Sequence, residues 1–199
     1  MGRLVRYFAY GSNLNPKRMK ERVLNALKHH PEHEDLRTVK RLLKNYDRYR
    51  EAVDHTRKGA TLIGYHLVFN KINEAIPGSG FANIMPHDPE LIRKIRAGSL
   101  QGIPLPWVEG AIYTIPRGYF VILCITEGIY KKPPHYFLKE VTVDTGNKQV
   151  EATTLEASPK KIGQNLKPTR TYVQHILQGG DLLSDTYKRL LRRMATKKF

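Results

Sequence analysis

Tyr10-Gly11-Ser12-Asn13-Leu14, followed at once by Asn15-Pro16, sets a glycine, short polar side chains and a helix-opening pair directly after the apolar run Tyr7-Phe8-Ala9. A glycine lets the chain turn sharply. Asn accepts bonds from the orphan N–H groups of a following helix, and Pro is pre-set for its first position. Such a turn aims N–H groups and a partial positive charge at one point, where a carboxylate or a developing oxyanion can sit. Two other groups of residues have types that could do chemistry. His29, His33 and Glu34 bring imidazole and carboxylate together around Pro31, but their spacing fits no metal motif, and solvated side chains at a turn are expected. Cys124 lies in an apolar run with no histidine beside it, the setting of a buried, inert thiol.

Composition narrows the function classes. The 199 residues, 40% of them hydrophobic, can bury one sizeable core, so residues 1–199 are expected to form a single domain. No apolar run is long enough to span a bilayer, and the first residues lack the pattern of a signal peptide. With Cys124 the only cysteine, no internal disulfide can form; a cytoplasmic protein without membrane partners is the expectation. Charge is the extreme: 34 Lys and Arg against 18 Asp and Glu give +16 and a pI near 10.0. That field attracts polyanions, so nucleic-acid binding is a second function to weigh. The basic residues, however, are mixed with acids and spread along the chain, and no zinc-finger spacing, stacking signature or GxxG clamp accompanies them. A solvated basic surface is favoured, and nothing fixes an oligomeric state.

The elements that must hold the polar turn follow from periodicity. From about Asn15 to Lys58 the pattern is helical, with Met19, Val23, Leu24 and Leu27 on one face and Leu36, Val39, Leu42, Leu43 and Tyr46 on another, broken at Pro31. Strands are predicted over Thr61 to Asn70, Gly80 to Met85 and Trp107 to Ile115. A hairpin joins Leu138–Val143 to Val150–Leu155 through Asp144-Thr145-Gly146-Asn147, and helices over Pro168–Leu177 and Leu183–Met194 close the chain. Strands in the middle with helices at the ends make the class α+β. The run from Gly118 to Gly128 reads by propensity as a buried strand, although Phe120, Leu123, Cys124 and Glu127 also fit one helical face.

Phe8-Ala9-Tyr10-Gly11-Ser12-Asn13-Leu14 resembles the opening signature of the γ-glutamyl cyclotransferase-like family, and later segments are similar to that family in the same order. These are Gly64-Tyr65-His66-Leu67-Val68-Phe69-Asn70, Gly80-Phe81-Ala82-Asn83-Ile84, Val108-Glu109-Gly110-Ala111-Ile112-Tyr113, and Leu123 with Glu127-Gly128. Tyr136, Val141-Thr142-Val143 and the stretch from Thr171 to Gly180 complete the set. The resemblance implies a small mixed β-barrel with flanking helices, in which residues 17–58 are a helical insertion. It also makes Gly118–Gly128 a helix ending in a left-handed glycine cap. Glu127 would then lie near the helix's negative end beside apolar neighbours, two influences that raise a carboxyl pKa.

The implied reaction is attack of the α-amine of a γ-glutamyl amine or peptide on its own γ-carbonyl, releasing 5-oxoproline and a free amine. No cofactor or metal is implied. By the resemblance Glu127 is the catalytic acid and base, while Tyr10, Gly11, Ser12, Asn13, Leu14 and Tyr136 bind a small-molecule γ-glutamyl substrate. In this picture the backbone N–H groups from Gly11 to Leu14 face the substrate's carboxylate or its oxyanion. The chain departs from the family pattern at Cys124, where an aspartate is usual, and at Thr153-Thr154, where an aromatic is usual. Those changes bear on substrate choice and on whether activity is kept, so a catalytically silent scaffold with the same fold is the further alternative.

Overall fold

Strand β1 (Leu4–Ala9) runs from an exposed Leu4 into the core, where its last residues Phe8 and Ala9 are fully buried. The computed structural model describes residues 4–29, 56–90, 93, 105–194 and 196. β1 pairs antiparallel with β5 (Val108–Pro116) from Leu4↔Pro116 to Ala9↔Ala111. β5 pairs with β2 (Lys58–Leu62), β2 with β6 (Tyr136–Asp144), and β6 with β7 (Gln149–Ala157). A parallel contact at Tyr7↔Thr153 brings β7 back to β1 and closes a five-stranded barrel in the order β1-β5-β2-β6-β7. Thr154 reinforces the closure, because its hydroxyl donates to the Phe8 carbonyl at 2.8 Å in a buried setting. The threonine pair that departs from the family pattern thus includes a side chain that ties the barrel shut.

Beside the barrel stands a two-stranded sheet, β3 (Tyr65–Ile72) with β4 (Gly80–Pro86). The single strand expected over Thr61 to Asn70 is therefore two: the chain turns at Gly64, whose φ is 77°, and passes from the barrel to the hairpin. Positive φ explains the break, since continuous β-rich sequence gives no other sign of it.

Four helices accompany the strands among the described residues. α1 (Pro16–His29) begins where the sequence put it, with Pro16 at its first position and Asn15 Oδ1 accepting from the Arg18 N–H at 3.2 Å. Met19, Val23 and Ala26 form its buried face, whereas Leu24, expected on that face, is 38% exposed. The rest of the expected helical insertion, including His33, Glu34 and the run from Leu36 to Tyr46, lies outside the described residues, as does the side chain of His29. Lys58 belongs to β2 rather than to a helix.

α2 (Arg117–Thr126) settles the conflict over Gly118–Gly128 in favour of helix. Its end explains why: the Ile129 N–H bonds the Cys124 carbonyl at 3.1 Å and the Gly128 N–H bonds the Ile125 carbonyl at 3.0 Å. Gly128 at φ 70° makes this paired closure possible. Burial on nearly all sides, against β1, β5 and α1, accounts for the continuous apolar run that propensity reads as a strand. α3 (Arg170–Gln178) and α4 (Asp185–Arg193) are capped by Thr169 and Ser184, whose hydroxyls accept from the N–H groups of Tyr172 and Tyr187. No helix among the described residues is long and apolar enough to cross a membrane.

Candidate active site

The polar turn after β1 is held from below and from the side. The Tyr113 hydroxyl, on β5, donates to the carbonyls of Asn13 and Leu14 at 3.1 Å each. Gly179, just past α3, lies so close to the turn that a Cβ there would stand 2.2 Å from the Asn15 nitrogen and 2.3 Å from the Leu14 carbonyl carbon. Gly11 is required for a different reason from the one expected. Its φ is −106°, which other residues adopt, but a Cβ on it would lie 2.8 Å from the Tyr172 hydroxyl oxygen. That oxygen accepts from the Ala82 N–H at 3.2 Å.

The amide inventory of the turn corrects another expectation. The Leu14 N–H is spent within the turn, on the Gly11 carbonyl at 3.0 Å. Gly11, Ser12 and Asn13 border the cavity, so their amides are the backbone donors of the turn nearest a ligand. Leu14 is fully buried and does not line the cavity that the turn borders.

That cavity measures about 300 Å³, the low end of the range for small-molecule sites. Tyr10, Gly11, Ser12, Asn13, Glu127 and Tyr136 all line it, so of the residues expected to bind substrate or act on it only Leu14 stands apart. Tyr10 donates its hydroxyl to the Leu155 carbonyl. Burial pushes the phenols of Tyr7, Tyr10 and Tyr136 upward, aided by the Glu127 charge, so all are neutral hydrogen-bonding groups.

Glu127 is the residue just past the last turn of α2, and its side chain is 12% exposed. The apolar surroundings expected for it are replaced by a polar cluster. Asn13 Nδ2 donates to Glu127 Oε1 at 3.0 Å and to the Tyr7 hydroxyl at 3.0 Å. The Arg22 guanidinium donates to the same Oε1 and, at 3.2 Å, to Asn13 Oδ1. Both donors converge on one carboxylate oxygen, and Oε2 receives no bond from the described residues. The Glu127 charge is the main reason why the Arg22 pKa is raised.

Arg22 and Lys71 are among the cavity residues that sequence reasoning missed. Arg22 sits on α1, one turn beyond Arg18 and flanking the Met19/Val23 face, but in a chain with 34 basic residues an arginine beside an apolar stripe reads as solvated surface. Lys71 lies on β3 after an irregularity in its pairing between Val68 and Lys71, and that shift breaks the alternation by which its inward direction could be read.

Solved structures share this architecture. A structure described as a gamma-glutamyl cyclotransferase superposes with a TM-score of 0.65 at 18% identity, covering 99% of this chain and 91% of its own. The chain has the γ-glutamyl cyclotransferase fold. An uncharacterized human protein shares the fold at a TM-score of 0.65 and 18% identity, over 98% and 90% of the two chains. YkqA from Bacillus subtilis shares it at 0.63 and 19%, over 98% of this chain but 56% of that one. By sequence, no family model and no curated protein matches. The cyclotransferase fold here carries a buried Cys124 at the position of departure, its thiol pushed up to about 12 by burial and the nearby Glu127 charge; it does not line the cavity.

Proposed function

We propose that the protein is a γ-glutamyl cyclotransferase, converting a γ-glutamyl amine or peptide to 5-oxoproline and a free amine. The observation that carries this reading is the meeting, in one cavity of a cyclotransferase fold, of the Gly11–Asn13 turn with a carboxylate from the far end of α2. A γ-glutamyl compound folded into the cavity brings its own nucleophile and electrophile together. The site therefore needs chiefly to select that conformer, and intramolecular orientation can supply a large part of the barrier reduction.

In the proposed mechanism the unbonded Oε2 of Glu127 takes a proton from the attacking α-nitrogen, which adds to the γ-carbonyl carbon. The amides of the Gly11–Asn13 turn stabilise negative charge on the carbonyl oxygen or on the substrate's carboxylate. Collapse of the tetrahedral intermediate breaks the original amide C–N bond, and Glu127 returns a proton to the departing nitrogen. Starting from an ammonium, the attacking nitrogen sheds two protons in all and the leaving nitrogen gains two, so no water is consumed and no net proton released. Arg22 and Asn13 act as positioning residues: by fixing Oε1 they point Oε2 at the reacting atoms.

The test is direct. The purified protein is incubated with a panel of γ-glutamyl amino acids, peptides and alkylamides, and 5-oxoproline is followed by mass spectrometry. Product from at least one class supports the proposal. Its absence across the panel favours the silent-scaffold alternative.

A further inference from the structure

Lys71 is the unexplained charge in this cavity. It is only 5% exposed, it lines the same cavity as Glu127, and its Nζ stands 5.2 Å from the centre of the Phe81 ring and 5.5 Å from that of Tyr136. Aromatic faces attract a cation, but among the described residues it has no carboxylate at ion-pair distance and no hydrogen-bond acceptor. Glu74, which shares the cavity wall, is engaged instead by Lys161 and lies 4.0 Å from His135 Nε2. Glu127 is neutralised by Arg22. Lys131 and His135 also line the wall, and burial followed by the charges of Lys71 and Lys131 lowers the His135 pKa. The cavity thus holds one balanced ion pair around Glu127 and, around Lys71, an excess of positive charge.

A buried ammonium without a counter-ion is costly unless something that binds there supplies one. Every γ-glutamyl compound carries an α-carboxylate, for which the turn after β1 offers donors. A second carboxylate is present only when the departing amine is itself an amino acid or peptide. Resting on the cyclotransferase reading above, we propose that Lys71 binds the carboxylate of the departing amine and so selects γ-glutamyl amino acids and peptides over γ-glutamyl derivatives of uncharged amines.

Two substrates isolate that contact. γ-Glutamyl-alanine and γ-glutamyl-ethylamide differ only by the carboxylate of the leaving group. The measured quantity is the ratio of kcat/KM for the alanine compound to that for the ethylamide, in wild type, Lys71→Met and Lys71→Arg. Thermal melts check that each variant is folded. A charge-assisted contact predicts that the ratio favours alanine in wild type, falls about 10–100-fold in Lys71→Met chiefly through KM, and is largely restored in Lys71→Arg. A Lys71→Met ratio equal to that of wild type overturns the proposal, because Lys71 then meets the glutamyl carboxylate or serves only the fold. If wild type turns over neither compound nor any other member of the γ-glutamyl panel, the cyclotransferase reading fails separately. Calorimetric titration with the same two compounds then decides the role of Lys71: loss of a preference for the alanine compound in Lys71→Met supports it, and equal binding of both by wild type overturns it.

Discussion

Arg22 and Glu127, 105 residues apart in sequence, meet through one carboxylate oxygen and share the side chain of Asn13 as a third member. Their union leaves the second oxygen of Glu127 bare at the edge of a cavity. In the proposed mechanism a carboxylate held on one side and open on the other carries a proton in a defined direction.

Glu127→Gln keeps an oxygen for Asn13 and Arg22 but cannot carry a proton. Release of 5-oxoproline is expected to fall by about 10²–10⁴-fold, while the melting temperature stays within a few degrees of wild type. Parallel kinetics and calorimetry check this; retained turnover excludes Glu127 as the base.

Arg22→Met removes the group that fixes Oε1 and leaves Glu127 in place. Because misplacement by about 1 Å can cost on the order of 10²-fold, kcat is expected to drop roughly 10–100-fold with a smaller change in KM. Arg22→Lys, which keeps the charge but loses the fork that reaches both Glu127 and Asn13, should recover only part of the loss.

Gly11→Ala drives a methyl group against the Tyr172 hydroxyl, which stands 2.8 Å from the Cβ position. The expected cost is about 1–3 kcal/mol in urea unfolding. Tyr172→Phe alone loses the bond from Ala82, about 1 kcal/mol, but removes the atom that clashes. The double variant should therefore be more stable than the sum of the single effects allows, and strict additivity would refute the contact.

Lys71 has a pKa lowered by burial in the folded state. Between its folded and unfolded values the unfolded chain binds more protons, so stability rises with pH across that window. The penalty is full below the folded value and disappears above the ordinary lysine value of about 10.4. Lys71→Met is accordingly expected to melt above wild type at neutral pH, with the gap closing as pH approaches the ordinary lysine value. Melts across a pH series measure the trend, and a gap that widens with pH contradicts it.

Cys124 is buried and its thiol is pushed up to about 12. Native protein should resist alkylation by iodoacetamide at pH 8, while the urea-unfolded chain reacts fully. Cys124→Ala should leave 5-oxoproline release within about twofold of wild type at a stability cost of roughly 1 kcal/mol, from the small cavity it opens.

Features that rest on near neighbours were legible in the order of residues. Asn15-Pro16 opens α1, and Gly146 and its neighbours turn the β6–β7 hairpin. Each rests on contacts within a few residues, so each is legible in the order of side chains. The ordered resemblance added the barrel and the helical state of Arg117–Thr126, which propensity alone reads as a strand because the helix is buried on nearly every side. The rest came from packing between distant segments. It turned the chain at Gly64 from barrel to hairpin, and it gave Gly11 its purpose through a tyrosine from α3 rather than through its own backbone angles. It also drew Arg22 out of a seemingly solvated basic helix to hold Glu127, and turned Lys71 inward after a shift in strand pairing. The physical reason is common to these cases: a charge or a close approach is set by what packs against it from a distant part of the chain, and no periodicity in the local sequence records that partner.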